Sequence, residues 1–253
     1  MFTKAIVRRP CRSMIYGLSD ANLGTPDYEL AIKQHDTYIE ALKKCGVEVI
    51  VQEANEEFPD FVFVEDVALC TLKVAIISRP GAESRKGETD GIKQLLQKYY
   101  TNIEEITAPA TIEPGDIMMV GTHFYIGLSK RTNLEGAKQM TDFLEKFGMT
   151  ASTVEMSEML HLKTGMSYLE NNNLLVAGEF ISKPQFQKFN LLKVETEENY
   201  AANCIWVNGK VIVAEGFPKT KKLIENAGYE VITVDVSEYR KLDGGLSCMS
   251  LRF

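Results

Sequence analysis

The stretch Asn203–Val234, NCIWVNGKVIVAEGFPKTKKLIENAGYEVITV, holds one complete structural unit. Two apolar, β-branched runs flank Asn208-Gly209, a pair suited to the positive backbone angles of a tight hairpin turn. Phe217-Pro218 then places proline at a first helical position, where its missing N–H costs nothing. Gly228 fits the left-handed position just past a helix end, and YEVITV resumes as a strand. The unit reads as hairpin, helix, strand.

The same grammar recurs. Lys44-Cys45-Gly46 precedes VEVIV, and Lys146-Phe147-Gly148 precedes MTASTV, each a helix end followed by a strand. Thr25-Pro26 predicts a helix start, and Thr132 with Glu135 three residues on predicts a capping box. The helix from Pro26 to Cys45 carries Leu30, Tyr38, Ala41, Leu42 and Cys45 as its core stripe. Gly46 and Gly148 lie 102 residues apart, and Gly148 and Gly228 lie 80 apart. Each interval has room for two units of about 40–50 residues, with less obvious copies expected around Lys98 and Lys188. Hairpins recur too, in DVALCTLKVAIIS from Asp66, DIMMVGTHFYIGLS from Asp116 and GMSYLENNNLLVAG from Gly165. Five units fill the chain. A repeat that buries only part of a hydrophobic face needs neighbours on both sides, so a pseudo-symmetric ring is expected. Cys248–Phe253 would then pair near Ala5–Val7.

Composition agrees and excludes several classes. Of 253 residues 45% are hydrophobic and 25% charged, proportions of a folded chain with a sizeable core. No Pro/Gly/Ser-rich linker divides it, so one domain over 1–253 is expected. Lysine and arginine number 28 against 35 acids, a net charge of −7 that argues against a nucleic-acid or anionic-membrane surface. No run reaches the roughly 18 apolar residues of a membrane span. Five cysteines without a C-x-x-C pair fit neither a disulfide framework nor structural zinc, so a reducing, cytoplasmic setting is expected.

In such a ring the hairpin openings face the axis, and they are rich in reactive groups. They supply Asp60, Glu65 and Asp66 in FPDFVFVED, Glu113 and Asp116 in IEPGD, His161 and Lys163 in LHLKTG, Asn203 and Cys204 in NYAANC, and Asp243, Ser247 and Cys248 in LDGGLSC. Taken singly each has a bland reading. Cys248 suits a buried small hydrophobe, His161 between leucines a hydrogen-bonded structural residue, and Glu113 before Pro-Gly a loop carboxylate. Together they suggest a cysteine nucleophile with a histidine acid/base. Glu65 and Asp66 cannot both be buried unpaired, since desolvation would cost several kcal/mol per charge. They are expected to be solvated or to face a cation. Arg79, Arg85 and Arg131 read as exposed loop charges individually, although arginine also suits bidentate capture of a carboxylate. His35 and His123 read as helix-surface and hairpin-turn residues. Gly244-Gly245 allow close approach of the backbone to a ligand.

The motifs FPDxVFVED, RPGAESRxGE, EPGDIMMVG, HLKTG, NNNLLVAGEF, YAANCIWVN and DGGLSCMSLRF together resemble the bacterial dimethylarginine dimethylaminohydrolases, over nearly the whole chain. That resemblance implies a five-fold pseudo-symmetric α/β propeller of ββαβ repeats, the pentein fold of guanidine-modifying enzymes. It implies Cys248 as nucleophile, His161 as general acid and base, and Glu113 as the carboxylate orienting His161. It further implies that Asp60, Glu65 and Asp66 hold the cationic ends of the substrate, that Arg85 and Arg131 receive its carboxylate, and that Leu18, Leu242 and Asp243 line the pocket, with Leu18 on a lid loop. No cofactor or metal is implied, and a homodimer is allowed. The related arginine deiminases carry an acid two residues after the histidine where this chain has Lys163, which favours a methylated substrate. Arginine deiminase or amidinotransferase chemistry on a related guanidine stays open, as does a non-catalytic binding protein of the same fold.

Overall fold

The computed structural model describes residues 1–253 and contains five three-stranded sheets. Strands β1 (Lys4–Arg8) and β2 (Glu48–Gln52) share a sheet with β15 (Leu251–Arg252). The second sheet holds β3 (Ala68–Cys70), β4 (Ala75–Ile77) and β5 (Ile103–Glu105), and the third β6 (Ile117–Val120), β7 (His123–Leu128) and β8 (Thr150–Glu155). The fourth holds β9 (Met166–Tyr168), β10 (Asn173–Val176) and β11 (Asn190–Lys193), and the fifth β12 (Ile205–Val207), β13 (Lys210–Ala214) and β14 (Glu230–Val234). In every sheet the middle strand runs antiparallel to one neighbour, a hairpin partner in four sheets and β15 in the first, and parallel to the strand that follows the crossover. The pairing of β1 with β15, Ala5 opposite Arg252 and Ile6 opposite Leu251, completes the first unit with the last residues of the chain.

Crossovers differ because their sequences differ. Helices α1 (Tyr28–Lys44), α3 (Leu134–Lys146) and α4 (Pro218–Asn226) end before Gly46, Gly148 and Gly228, which adopt φ of +80°, +75° and +93° as expected for left-handed caps. The two hidden crossovers are weaker. The second unit has only α2 (Ile92–Leu96), and the fourth has 3-10 turns at Gly178–Ser182 and Pro184–Phe186 in place of an α-helix. There the buried rings of Phe180 and Phe186 do the packing, and Pro184 disfavours a continuous helix.

Two expected helix starts are corrected. α1 is capped by Asp27, whose carboxylate accepts the Leu30 N–H, so Pro26 lies outside the helix. α3 is capped by Asn133, which accepts from the Gly136 N–H at 2.7 Å, while the hydroxyl of Thr132 is committed to the buried Asp116. On α1, Leu30 is 37% exposed and lies off the core stripe, whereas His35, expected at the surface, is fully buried with neither ring nitrogen bonded. Burial holds its pKa down at about 4.

Side chains at the hairpin entrances link successive units around the axis. Asp66 accepts the Gly115 N–H, Asp116 that of Leu162, the Ser167 hydroxyl that of Cys204, and Asn203 that of Ser247. Arg252 closes the circuit by reaching Glu65. No helix is long and apolar enough to cross a membrane.

Candidate active site

Cys248 sits in the short turn Ser247–Met249, just before the closing strand, half-buried at the wall of a cavity of about 170 Å³. Ten of the eleven expected site residues line that cavity: Leu18, Asp60, Asp66, Arg85, Glu113, Arg131, His161, Leu242, Asp243 and Cys248. Glu65 does not. It borders a second cavity, of about 140 Å³, walled by the inner strands β3, β6, β9, β12 and β15. Adjacent residues thus face different cavities, Asp66 with Cys248 on one side and Glu65 with Ser247 on the other.

Glu113 occupies an extended position before the Pro114–Asp116 turn and is 1% exposed. One carboxylate oxygen accepts from the Gly81 N–H at 3.0 Å, and the other meets His161 Nε2 at 2.7 Å. Gly115 is required at this point, because a Cβ there would lie 2.9 Å from both the His161 Nδ1 atom and an Asp66 oxygen. Burial alone would lower the His161 pKa, but Asp116, the Glu113 hydrogen bond and Asp66 outweigh it and lift it to about 9. Glu113 moves the opposite way: burial would raise its pKa, and the histidine holds it well below the usual carboxylate range. The pair is therefore an imidazolium and a carboxylate at neutral pH.

Burial pushes the Cys248 thiol up to about 12, and the nearby carboxylates of Glu65 and Asp66 add to this, against the Gly245 N–H and Lys163. A cation placed in the cavity would reverse that balance. Asp60, 5% exposed, accepts from the Leu18 N–H, and Asp243 accepts from the Asp20 N–H at 2.6 Å, so both hold the loop over the cavity mouth. Asp243 adopts φ of +56°, a strained conformation for a residue other than glycine.

The arginines separate. Arg85, read from sequence as an exposed charge when taken alone, is 6% exposed and donates to Glu88, Asp66 and the Phe63 carbonyl. Arg131 forms no side-chain hydrogen bond or ion pair, which leaves its guanidinium free for an anion. Glu65 and Asp66 are both buried and both face cations: Asp66 meets Arg85 at 2.7 Å, and Glu65 meets Lys163 at 2.6 Å and Arg252 at 3.2 Å. Asp66, Glu113 and His161 present ligand atoms within 4.8 Å of one another, close enough for one ion, but here they serve Arg85, Gly115, Gly81 and each other.

Two residues that matter have no role assigned from the sequence. Asp116 is fully buried, accepts from Ser129, Thr132 and the Leu162 N–H, and is the largest influence raising the His161 pKa. Glu88 shares the Arg85 guanidinium. Asp116 lies in the motif EPGDIMMVG, but its spacing from His161 carries no sequence signal. The reason for Gly244-Gly245 also changes: a Cβ would sit 2.2 Å from the Phe63 ring and 2.5 Å from Asn203, so protein packing demands them.

Known proteins match this arrangement. The family model for N,N dimethylarginine dimethylhydrolase, eukaryotic, matches residues 25–252. The N(G),N(G)-dimethylarginine dimethylaminohydrolase of Pseudomonas aeruginosa is 58% identical over the whole of both chains, and that of Streptomyces coelicolor 32% identical over 98% of this chain and 96% of its own. A mutant of the Pseudomonas aeruginosa enzyme complexed with citrulline superimposes with a TM-score of 0.99 at 57% identity, covering 100% of both chains. The N-terminal domain of ArgZ, a cyanobacterial arginine dihydrolase, shares the fold at 20% identity, with a TM-score of 0.90 over 100% of this chain and 97% of its own. With the five-sheet architecture and the full-length likeness together, this chain belongs to the dimethylarginine dimethylaminohydrolase family.

Proposed function

We propose that this chain hydrolyses Nω-methylated arginines, asymmetric dimethylarginine and monomethylarginine, to citrulline and the corresponding methylamine, with all 253 residues acting as one catalytic domain. The observation that carries this reading is the meeting of Cys248, the His161–Glu113 pair, buried carboxylates and the unpaired Arg131 in one cavity. Asp66 and Asp60 offer negative charge for the guanidinium and ammonium ends, Arg131 a partner for the carboxylate, and Leu18 and Leu242 apolar wall. Arg85 acts through Asp66, which it orients; Glu65 contributes charge from behind the nucleophile.

The resting thiol is neutral because burial disfavours the thiolate and two carboxylates lie near it. Docking of the cationic guanidinium offsets the carboxylates, so Cys248 gives up its proton to solvent and the thiolate attacks the planar carbon. The C–S bond forms, the His161 imidazolium gives its proton to the dimethylamino nitrogen, and the C–N bond breaks to release dimethylamine. His161, now neutral, takes one proton from water, whose oxygen attacks the thiouronium carbon; the C–S bond breaks and the new hydroxyl releases its proton to solvent, leaving citrulline, the thiolate and the imidazolium. Acid catalysis of this kind contributes about 10²–10⁴-fold.

The test is citrulline release from asymmetric dimethylarginine by wild type beside Cys248→Ser. Turnover by wild type and none by the serine variant is expected; equal turnover would remove Cys248 from the mechanism, and faster turnover of arginine itself would remove the methylated substrate. Five free thiols suit a reducing cytoplasm, and a homodimer belongs to this reading.

A further inference from the structure

We propose that Arg252, Glu65 and Lys163 form a brace across the axis that sets the position of Cys248 relative to His161. This rests on the reading of those two as the reacting pair. Arg252 grips the nucleophile's turn from both sides, since its Nη1 donates to the carbonyls of Ser247 and Ser250 and to the Ser250 hydroxyl at 2.7 Å. Its Nη2 reaches the Glu65 carboxylate at 3.2 Å. The same oxygen of Glu65 accepts from Lys163 at 2.6 Å, and Lys163 lies in the Leu162–Thr164 turn that directly follows His161. Three links therefore join the two turns through one buried carboxylate.

Several observations favour a positioning role over surface pairing. The side chains of Lys163, Glu65 and Arg252 are 16%, 5% and 13% exposed, far below those of the chain's outer ion pairs. Glu65 concentrates both cations on one oxygen and leaves the other buried without a partner. A carboxylate retained at that cost needs a reason beyond stability, because a buried ion pair is weak evidence for stability by itself. The group also has an electrostatic use. Glu65 is the nearby acid that most strongly opposes thiolate formation at Cys248, and Lys163 works against it.

The test compares Lys163→Met, Arg252→Met, Lys163→Arg and the double methionine variant. Each single methionine variant should lower kcat by about tenfold with KM little changed, since the reacting groups and not the binding surfaces are displaced. The double variant should be no worse than the weaker single by more than about threefold, because either change already breaks the brace. Lys163→Arg should restore most of kcat. In the absence of substrate, the pH at which iodoacetamide alkylation of Cys248 becomes fast should rise in Lys163→Met. A kcat near that of wild type in both singles, multiplicative losses in the double variant, or a fall in folded fraction that accounts for the loss would each overturn the proposal. If wild type released no citrulline, the functional reading would fail on its own, and the alkylation profiles would still decide the brace.

Discussion

The imidazole of His161 keeps its proton to about pH 9 because buried carboxylates face it, Asp116 and Asp66 through space and Glu113 through a hydrogen bond. A general acid must carry its proton, so this role is available below that pH and is lost as pH rises through it. Glu113→Gln keeps a hydrogen-bond acceptor but removes one anion. The His161 pKa should then fall, and the alkaline limb of kcat should move to lower pH, with kcat at pH 8 reduced by about tenfold or more. An alkaline limb in the same place would show that Glu113 does not hold the proton. The residue types of this pair were legible in the chain, and the five-unit repeat put them at equivalent corners. Their protonation was not, because it depends on how much water burial removes.

At the scale of the element, the region between Thr132 and Gly136 shows how neighbouring hydroxyl and amide side chains divide the work. Asn133 caps α3, while Thr132 binds Asp116 at 2.6 Å and accepts the Glu113 N–H at 3.2 Å, so it belongs to the site and not to the helix. Two variants separate these roles. Asn133→Ala should cost about 1 kcal/mol of stability in urea with kcat unchanged. Thr132→Val should depress kcat and leave Asp116 short of a partner; equal activity in both variants would contradict the division. The sequence reading assigned the cap to Thr132, since the spacing to Glu135 fits a capping box and nothing local reveals that a carboxylate 16 residues earlier competes for the hydroxyl. Likewise the weak crossovers near Lys98 and Lys188 were located only by interval, because α2 is one turn long and the fourth unit replaces its helix with aromatic packing.

At the scale of the molecule, β15 both closes the first sheet and carries the residue that grips the nucleophile's turn. Leu251 is 3% exposed, and the Phe253 carbonyl accepts from the N–H groups of Thr3 and Lys4. Removing Leu251–Phe253 should therefore lower the thermal midpoint by several degrees, as expected for a loss of a few kcal/mol, and abolish turnover even in the fraction still folded. Retained activity at a temperature where the truncated chain is folded would separate ring closure from catalysis.

The amino-acid sequence determined the repeat by itself. Hairpin turns, left-handed glycines and β-branched runs are local signals, and the intervals between Gly46, Gly148 and Gly228 count the units without any knowledge of their arrangement. It also delivered the chemistry-bearing residues to the hairpin entrances. What only the tertiary structure decided was partnership: that Arg85 is spent on Asp66 and Glu88 while Arg131 is free, that Glu65 turns away from the catalytic cavity toward Lys163 and Arg252, and that Asp116 charges His161. These pairings join residues up to 187 positions apart. Their strength is set by burial and by the direction each side chain faces, and neither quantity exists until the ring has closed.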